Sequence, residues 1–196
     1  MTAELTIKTE RLILRPFEKS DLEAVLSYYS LAEVQRYLDW KARDKSEAKA
    51  VFEQMRKQTR LSRPGEVLTL AIVRKSDAKV MGHISLSFMD ATAAQAEIRF
   101  AVAPAYRRQG YAVEAVRAAL TYGFDALKFH RIYARTAGKN EASARLLKDL
   151  GMRLEAHYRE HALFQGEWDE ELHFAILDRE WSRGAKVHEI TRHKVA

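Results

Sequence analysis

The stretch Phe100-Ala101-Val102-Ala103-Pro104-Ala105-Tyr106-Arg107-Arg108-Gln109-Gly110-Tyr111-Ala112 runs from an apolar strand through a turn into a helix. Its residue types suit the holding of an anion. The first turn of a helix has N–H groups with no partner inside the helix and lies at the positive end of the macrodipole, so it can hold a phosphate. Gly110 lets the main chain approach such a ligand closely, and Arg107 and Arg108 set fixed positive charge beside the amides. A plainer reading stays open on these residues alone: Gly110 as a turn residue and the two arginines as a solvated patch, since short glycine motifs are weak evidence.

Composition narrows the chemistry. The chain has 196 residues, which suits one domain or one domain with an extension, and is long enough to bury a core without metal or disulfide. It has no cysteine, which removes disulfides, zinc–thiolate sites and any protein thiol as nucleophile. The seven histidines show no metal-ligand spacing combined with a carboxylate, so no metal is expected; His173, alternating with apolar neighbours, reads as a satisfied sheet histidine. The formal net charge of +6 favours anionic partners, either nucleic acid, a ribosomal surface or a polyphosphorylated small molecule, without choosing among them. Glu4, Lys8, Glu10 and Arg11 interrupt the start of the chain, which does not read as a secretory signal, and no apolar run approaches membrane-spanning length. A cytoplasmic location is the expectation.

The elements that must position the Phe100–Ala112 stretch follow from hydrophobic period. Leu5 to Phe17 alternates and reads as an opening strand; Ser20-Asp21-Leu22-Glu23 begins the first of two short helices, the second with Val34, Tyr37 and Leu38 ending at Trp40; Ser46 to Leu61 is an amphipathic helix. Val67–Arg74 and Val80–Met89 form a hairpin around Lys75-Ser76-Asp77, and Ala96–Val102 is a third strand. A helix from Tyr111 to Leu127, a strand Arg131–Thr136, a helix Glu141–Leu150 and two strands, Leu154–Leu163 and Glu171–Leu177, complete the order. This is a mixed α/β arrangement, one sheet with helices packed on it. Residues 1–182 read as a single domain and 183–196 as a basic C-terminal extension, a mobile tail rather than a nucleic-acid arm.

With these elements in place, Arg107-x-x-Gly110-x-Ala112 resembles the pyrophosphate-binding motif of the GNAT superfamily of N-acetyltransferases. Tyr111-Ala112-Val113-Glu114-Ala115, Asn140-Glu141-Ala142-Ser143, Leu150-Gly151-Met152 and the opening Thr9-Glu10-Arg11-Leu12-Ile13-Leu14-Arg15-Pro16 resemble its ribosomal-protein acetyltransferase-like (RimJ/RimL-like) branch, and the resemblance extends to about Trp181. It implies a mostly antiparallel sheet flanked by helices and splayed between two parallel strands, with acetyl-CoA as cosubstrate. The pantetheine would lie against the backbone of Phe100, Ala101 and Val102, and the pyrophosphate on Arg107, Arg108, Gln109, Gly110, Tyr111 and Ala112. Unpaired N–H and C=O groups at an opened sheet can pair with an amide chain as a further strand would.

The resemblance also assigns roles. Without a thiol in the protein, the acetyl group would pass directly from acetyl-CoA to a primary amine. Glu97 is the candidate base, directly or through water, against the plain reading of a solvent-facing or salt-bridged strand glutamate; Ser143 is the candidate hydrogen-bond donor to the departing sulfur, and Asn140 the candidate for holding the pantetheine backbone. Asn140 is also a good helix N-cap, and the two roles are compatible. A main-chain N–H near Val102 would stabilise the oxyanion. Many members of the superfamily carry a tyrosine acid where this chain has Leu147, which excludes that form of acid catalysis here. Glu114 would repel phosphate if it pointed inward, so it reads as structural or acceptor-facing. Tyr37, Trp40 and Tyr106 could line an acceptor pocket but read as core and carry no catalytic role. The acceptor could be a protein N-terminal amine, with a ribosomal protein one such partner, or a small amine such as an antibiotic, polyamine or amino-acid derivative. A non-catalytic acyl-CoA-binding module and a basic RNA- or ribosome-binding protein are the alternatives; a membrane partner and direct nucleic-acid binding are not expected.

Overall fold

The computed structural model describes residues 4–36, 44–164, 166–181 and 190–193. Tyr37, Leu38, Trp40, Gln165 and most of the segment after Trp181 lie outside them. Along the chain the elements are β1 (Glu4–Lys8), β2 (Leu12–Arg15), α1 (Leu22–Tyr29), α2 (Ala32–Gln35), α3 (Lys45–Lys57), β3 (Val67–Arg74), β4 (Val80–Asp90), β5 (Gln95–Val102), α4 (Tyr111–Thr121), β6 (Arg131–Ala137), α5 (Glu141–Asp149), β7 (Arg153–Phe164), β8 (Glu167–Leu177), α6 (Asp178–Trp181) and β9 (Ile190–His193). Among the described residues the strands form one sheet in the order β7-β8-β6-β5-β4-β3-β2-β1-β9. Every neighbouring pair is antiparallel except β5 and β6, which are parallel.

The opening differs from the sequence expectation of one strand. Leu5 and Ile7 are buried, and so are Leu12 and Leu14, so the inward position changes parity across Thr9-Glu10-Arg11. A continuous strand cannot do this, because a one-residue slip sends side chains to the other face. The chain turns instead: the Thr9 N–H donates to the Leu12 carbonyl at 3.0 Å and the Leu12 N–H to the Thr9 hydroxyl at 3.0 Å. The C-terminal side differs too, since Ile190–His193, expected as part of a tail, pairs antiparallel with β1.

Helices cover both faces of the sheet. On one face α4 packs Val116 and Leu120 against Leu70, Ile84, Ile98 and Ile132. On the other, α1 and α3 bring Tyr28, Tyr29 and Phe52 onto Ala71 and Val73. Asp44 starts α3 by accepting from the Glu47 N–H at 2.9 Å. The second face turns polar toward the middle of the sheet, where Thr69, His83 and Glu97 are buried. Residues directly opposite in adjacent strands share a face, and the register aligns Ser85 with Thr69 and Arg99, and Ser87 with Val67 and Glu97. Polar side chains buried at the centre of a sheet need partners or a ligand.

Candidate active site

The site begins where two strands part. β5 and β6 are paired only at Gln95↔Arg131, Ala96↔Ile132 and Glu97↔Tyr133. Beyond those residues β5 stays on β4 as far as Gly82↔Val102, and β6 stays on β8 as far as Ala137↔Glu171. The facing edges of Ile98–Val102 and Ala134–Ala137 are therefore open to each other. The Ala103 N–H is taken by the Met81 carbonyl at 2.7 Å, and main-chain groups alternate sides along an antiparallel strand. The N–H and C=O groups of Phe100 and Val102 accordingly face the gap. A cleft of about 610 Å³ occupies it, with Phe100, Ala134, Thr136, Asn140, Ser143 and Leu147 among its walls. The divergence expected from the sequence is present at the strands named for it.

The close approach of β4 fixes the outer edge of this gap. A Cβ at Gly82 would sit 2.1 Å from the Ala101 carbonyl oxygen, so only glycine lets β5 lie this near. After Val102 a single turn of 3₁₀ helix, Pro104–Tyr106, leads into the basic loop. Arg108 has φ 60 and Gly110 φ 82, both left-handed; this conformation is free for glycine and costs about 1–2 kcal/mol for Arg108. Among the described residues no side chain caps the start of α4 at Gly110, which leaves its first-turn amides available to a ligand anion. Arg108 is exposed. Arg107 points elsewhere: its Nε donates to the Val102 carbonyl at 3.1 Å and its Nη1 lies 3.3 Å from Glu33 of α2.

Glu114, in the first turn of α4, is turned away from the loop mouth. Its carboxylate accepts from the Thr9 hydroxyl at 2.5 Å, the Arg11 N–H at 2.8 Å and the Arg11 Nε at 2.7 Å, which gives it the structural role. Arg11 was not singled out by residue type or spacing. Its Nη1 donates to the Gln109 carbonyl at 3.0 Å and its guanidinium lies 4.6 Å from the centre of the Tyr111 ring.

Asn140 caps α5, its Oδ1 accepting from the Ser143 N–H at 3.2 Å. This capping places both residues on the cleft wall beside buried Leu147. Glu97 also lines the cleft and is 2 % exposed. Its carboxylate accepts from Arg99 (Nε at 2.9 Å, Nη2 at 3.1 Å) and from Arg135 (Nε at 2.9 Å). Burial pushes the Glu97 carboxyl up, but the two bonded guanidiniums outweigh it and hold the group below the usual carboxylate range. Glu97 is thus ionised at neutral pH and a weak proton acceptor. Glu97, Arg99 and Arg135 are also walls of a second cavity of about 670 Å³ that includes Tyr133 and Met89.

His83 is a cleft residue that sequence reasoning passed over. The hydroxyls of Tyr28 and Tyr29 lie 3.1 Å from its Nδ1 and 3.5 Å from its Nε2, and burial lowers its pKa to about 4. The signal was present as the first of three alternating polar residues in β4, His83, Ser85 and Ser87, between apolar neighbours. His173 meets its expectation, with Nε2 2.5 Å from Glu171 Oε1. Tyr106 packs against both core clusters, as expected of a core aromatic. Among the described residues no group of three or more His, Asp or Glu side chains could hold a metal ion, and no helix is long and apolar enough to cross a membrane.

A parallel strand pair that opens onto a cleft and hands over to a helix start beside arginines offers an edge for an extended amide chain and a place for an anion at its end. Comparison with known proteins identifies the family. Residues 11–153 match the family described as acetyltransferase (GNAT) domain. The chain is 34% identical over 178 residues to the uncharacterized N-acetyltransferase YnaD of Bacillus subtilis (strain 168), covering 90% of this chain and 99% of that protein. An acetyltransferase (GNAT family) from Bacillus anthracis superposes with a TM-score of 0.78 at 30% identity, covering 89% of this chain and 99% of that one. The spermidine N-acetyltransferase from Vibrio cholerae, solved with CoA and spermine, shares the fold with a TM-score of 0.75 at 19% identity over 89% of this chain and 99% of that chain. The chain belongs to the GNAT family and is an acetyl-CoA-dependent N-acetyltransferase.

Proposed function

We propose that this enzyme passes acetyl directly from acetyl-CoA to a primary amine, and that its favoured acceptor is an α-amine, as at a peptide N-terminus. The pantetheine arm lies in the gap between β5 and β6 on the main-chain groups of Phe100, with Ala101 beside it and Asn140 on the opposite wall; the Val102 carbonyl is already taken by Arg107 Nε, and the Val102 N–H is kept for the oxyanion. The diphosphate rests on the loop Arg107-Arg108-Gln109-Gly110 and the first-turn amides of Tyr111 and Ala112. The amine nitrogen attacks the thioester carbon, the oxyanion is met by the Val102 N–H that faces the gap, and the C–S bond breaks as Ser143 hydrogen-bonds the sulfur. The leaving thiol has an acidity like cysteine, about 8.5, and needs no strong acid; Leu147 in place of a tyrosine is consistent with that.

The observation that carries the choice of acceptor is the clamp on Glu97. A carboxylate bound to two guanidiniums draws a proton weakly, and His83, with a pKa of about 4, also takes a proton reluctantly. Glu97 therefore acts through water on an amine that already has a neutral fraction. At pH 7.5 an α-amine with pKa near 8 is neutral about two-hundredfold more often than a lysine-type amine near 10.4. Thiol release measured with a panel of α-amino peptides, lysine side-chain analogues and polyamines tests the reading, and higher kcat/KM on the α-amines is expected. Preference for a polyamine would overturn the choice of acceptor, and no turnover on any amine would favour a coenzyme-binding module.

A second reading has its own observation. Asp169, Glu170 and Glu171 of β8 line the cleft of a chain whose formal net charge is +6, and an acidic wall draws in cationic small amines. The same panel separates the two.

A further inference from the structure

We infer that Arg11 is a positioning residue for the coenzyme's diphosphate: from the turn between β1 and β2 it holds the Gln109–Tyr111 loop in its binding shape and neutralises Glu114 at the start of α4. The inference rests on the coenzyme site proposed above. Three contacts of one guanidinium carry it. Nη1 bonds the Gln109 carbonyl at 3.0 Å, Nε bonds Glu114 Oε2 at 2.7 Å, and the plane lies over the Tyr111 ring at 4.6 Å. A fourth constraint is steric, since a Cβ at Gly110 would lie 3.2 Å from Arg11 Nη2. Gly110, one of the two left-handed loop residues, is therefore backed on one side by Arg11.

Arg11 is itself supported. Its N–H donates to Glu114 Oε1 at 2.8 Å and its carbonyl accepts from the Lys75 N–H at 2.9 Å, while Lys75 Nζ donates to the Thr9 carbonyl. The β1–β2 and β3–β4 turns are thus tied together under the loop. The electrostatic part is as direct. A first-turn carboxylate complements the helix dipole in the absence of ligand but opposes a bound diphosphate. Burial raises the Glu114 carboxyl while its bonds to Thr9 and Arg11 bring it below the usual range, so the group is ionised, and the Arg11 cation beside it cancels its field toward the ligand. Planar Arg suits this task, with one edge on the carboxylate and one face on the ring, and Lys does not.

The test separates positioning from simple stability and from electrostatics alone. Acetyl-CoA binding by calorimetry and steady-state turnover are measured for wild type, Arg11→Ala, Arg11→Lys and Glu114→Gln, with S-acetyl-pantetheine, which lacks the diphosphate, as a second donor. Arg11→Ala is expected to raise the KM and Kd for acetyl-CoA about tenfold, equivalent to one lost charge-assisted hydrogen bond, with kcat within about twofold. Arg11→Lys recovers part of the loss, and kcat/KM with S-acetyl-pantetheine is the same in all variants. Glu114→Gln, the milder change should Arg11→Ala fold poorly, is expected to weaken acetyl-CoA binding because Arg11 loosens, although it removes a negative charge beside the diphosphate. Tighter binding by Glu114→Gln, unchanged binding by Arg11→Ala, or equal losses with both donors would overturn the inference. Failure of wild type to bind acetyl-CoA would instead overturn the coenzyme site.

Discussion

Two side chains in the cleft decide what kind of base this enzyme has. Glu97 gains stability from its arginines, so its contribution is present above the unfolded carboxylate value of about 4.3 and is lost as pH falls through the lower folded value. Glu97→Gln is expected to cost about 2 kcal/mol at pH 7 by leaving Arg99 and Arg135 without their common partner, and urea titrations at descending pH should show the gap to wild type closing below pH 4. His83 works in the same direction for a different reason. Its folded pKa of about 4 lies below the usual histidine value, so the unfolded chain binds more protons between about 4 and 6.5 and stability falls as pH drops through that window. His83→Gln should flatten that part of the wild-type pH–stability curve; an unchanged slope would mean that His83 is not the buried neutral group its tyrosine contacts indicate. Ser143→Ala is expected to lower kcat about tenfold with little change in the KM for acetyl-CoA, the size of one hydrogen bond made to the leaving sulfur, and a rise in KM alone would place Ser143 in binding instead.

At the scale of elements, the gap depends on β5 being held by β4 while β6 leaves with β8. Gly82→Ala forces a methyl group onto the Ala101 carbonyl and is expected to cost about 2 kcal/mol or more in unfolding free energy. It should also weaken coenzyme binding, because the displaced strand carries the groups of Phe100 and Val102; a Gly82→Ala protein as stable as wild type would contradict the close approach. Much of this layer was legible in the sequence. Strand–turn–helix punctuation around Pro104 and Gly110, the hairpin at Lys75-Ser76-Asp77 and the helix start at Asn140 are set by local residue chemistry, and they lie where that chemistry puts them. Less legible were contacts between segments distant in sequence. Glu114 and Arg11 are 103 residues apart, and neither type nor spacing links them. Glu97 was named as the candidate base, but its clamp was not legible, because it forms only when β6 brings Arg135 to it beside Arg99. The early turn at Thr9-Glu10-Arg11 was readable, since the inward positions pass from odd to even, but short apolar runs on both sides masked the break.

For the molecule as a whole, a chain with a net charge of +6 presents a tetraanionic coenzyme with an uncapped helix start, so binding should be felt by the entire fold. Ligand at a hundred times its Kd adds about 2.7 kcal/mol to stability, which corresponds to a rise in Tm of about 5–10 °C for a chain of this size; the rise should shrink in high salt, as screening weakens the attraction of the exposed loop for the diphosphate. The central claim is that the coenzyme lies in the opening between β5 and β6 with its diphosphate on the start of α4. Amide hydrogen exchange with and without acetyl-CoA tests it residue by residue. The N–H groups of Val102 and of Gln109 to Ala112 are expected to slow by about tenfold or more on binding, with little change at the far edge in β1 and β9. Protection confined to other strands, with those amides exchanging as fast as before while acetyl-CoA is bound, would contradict the account.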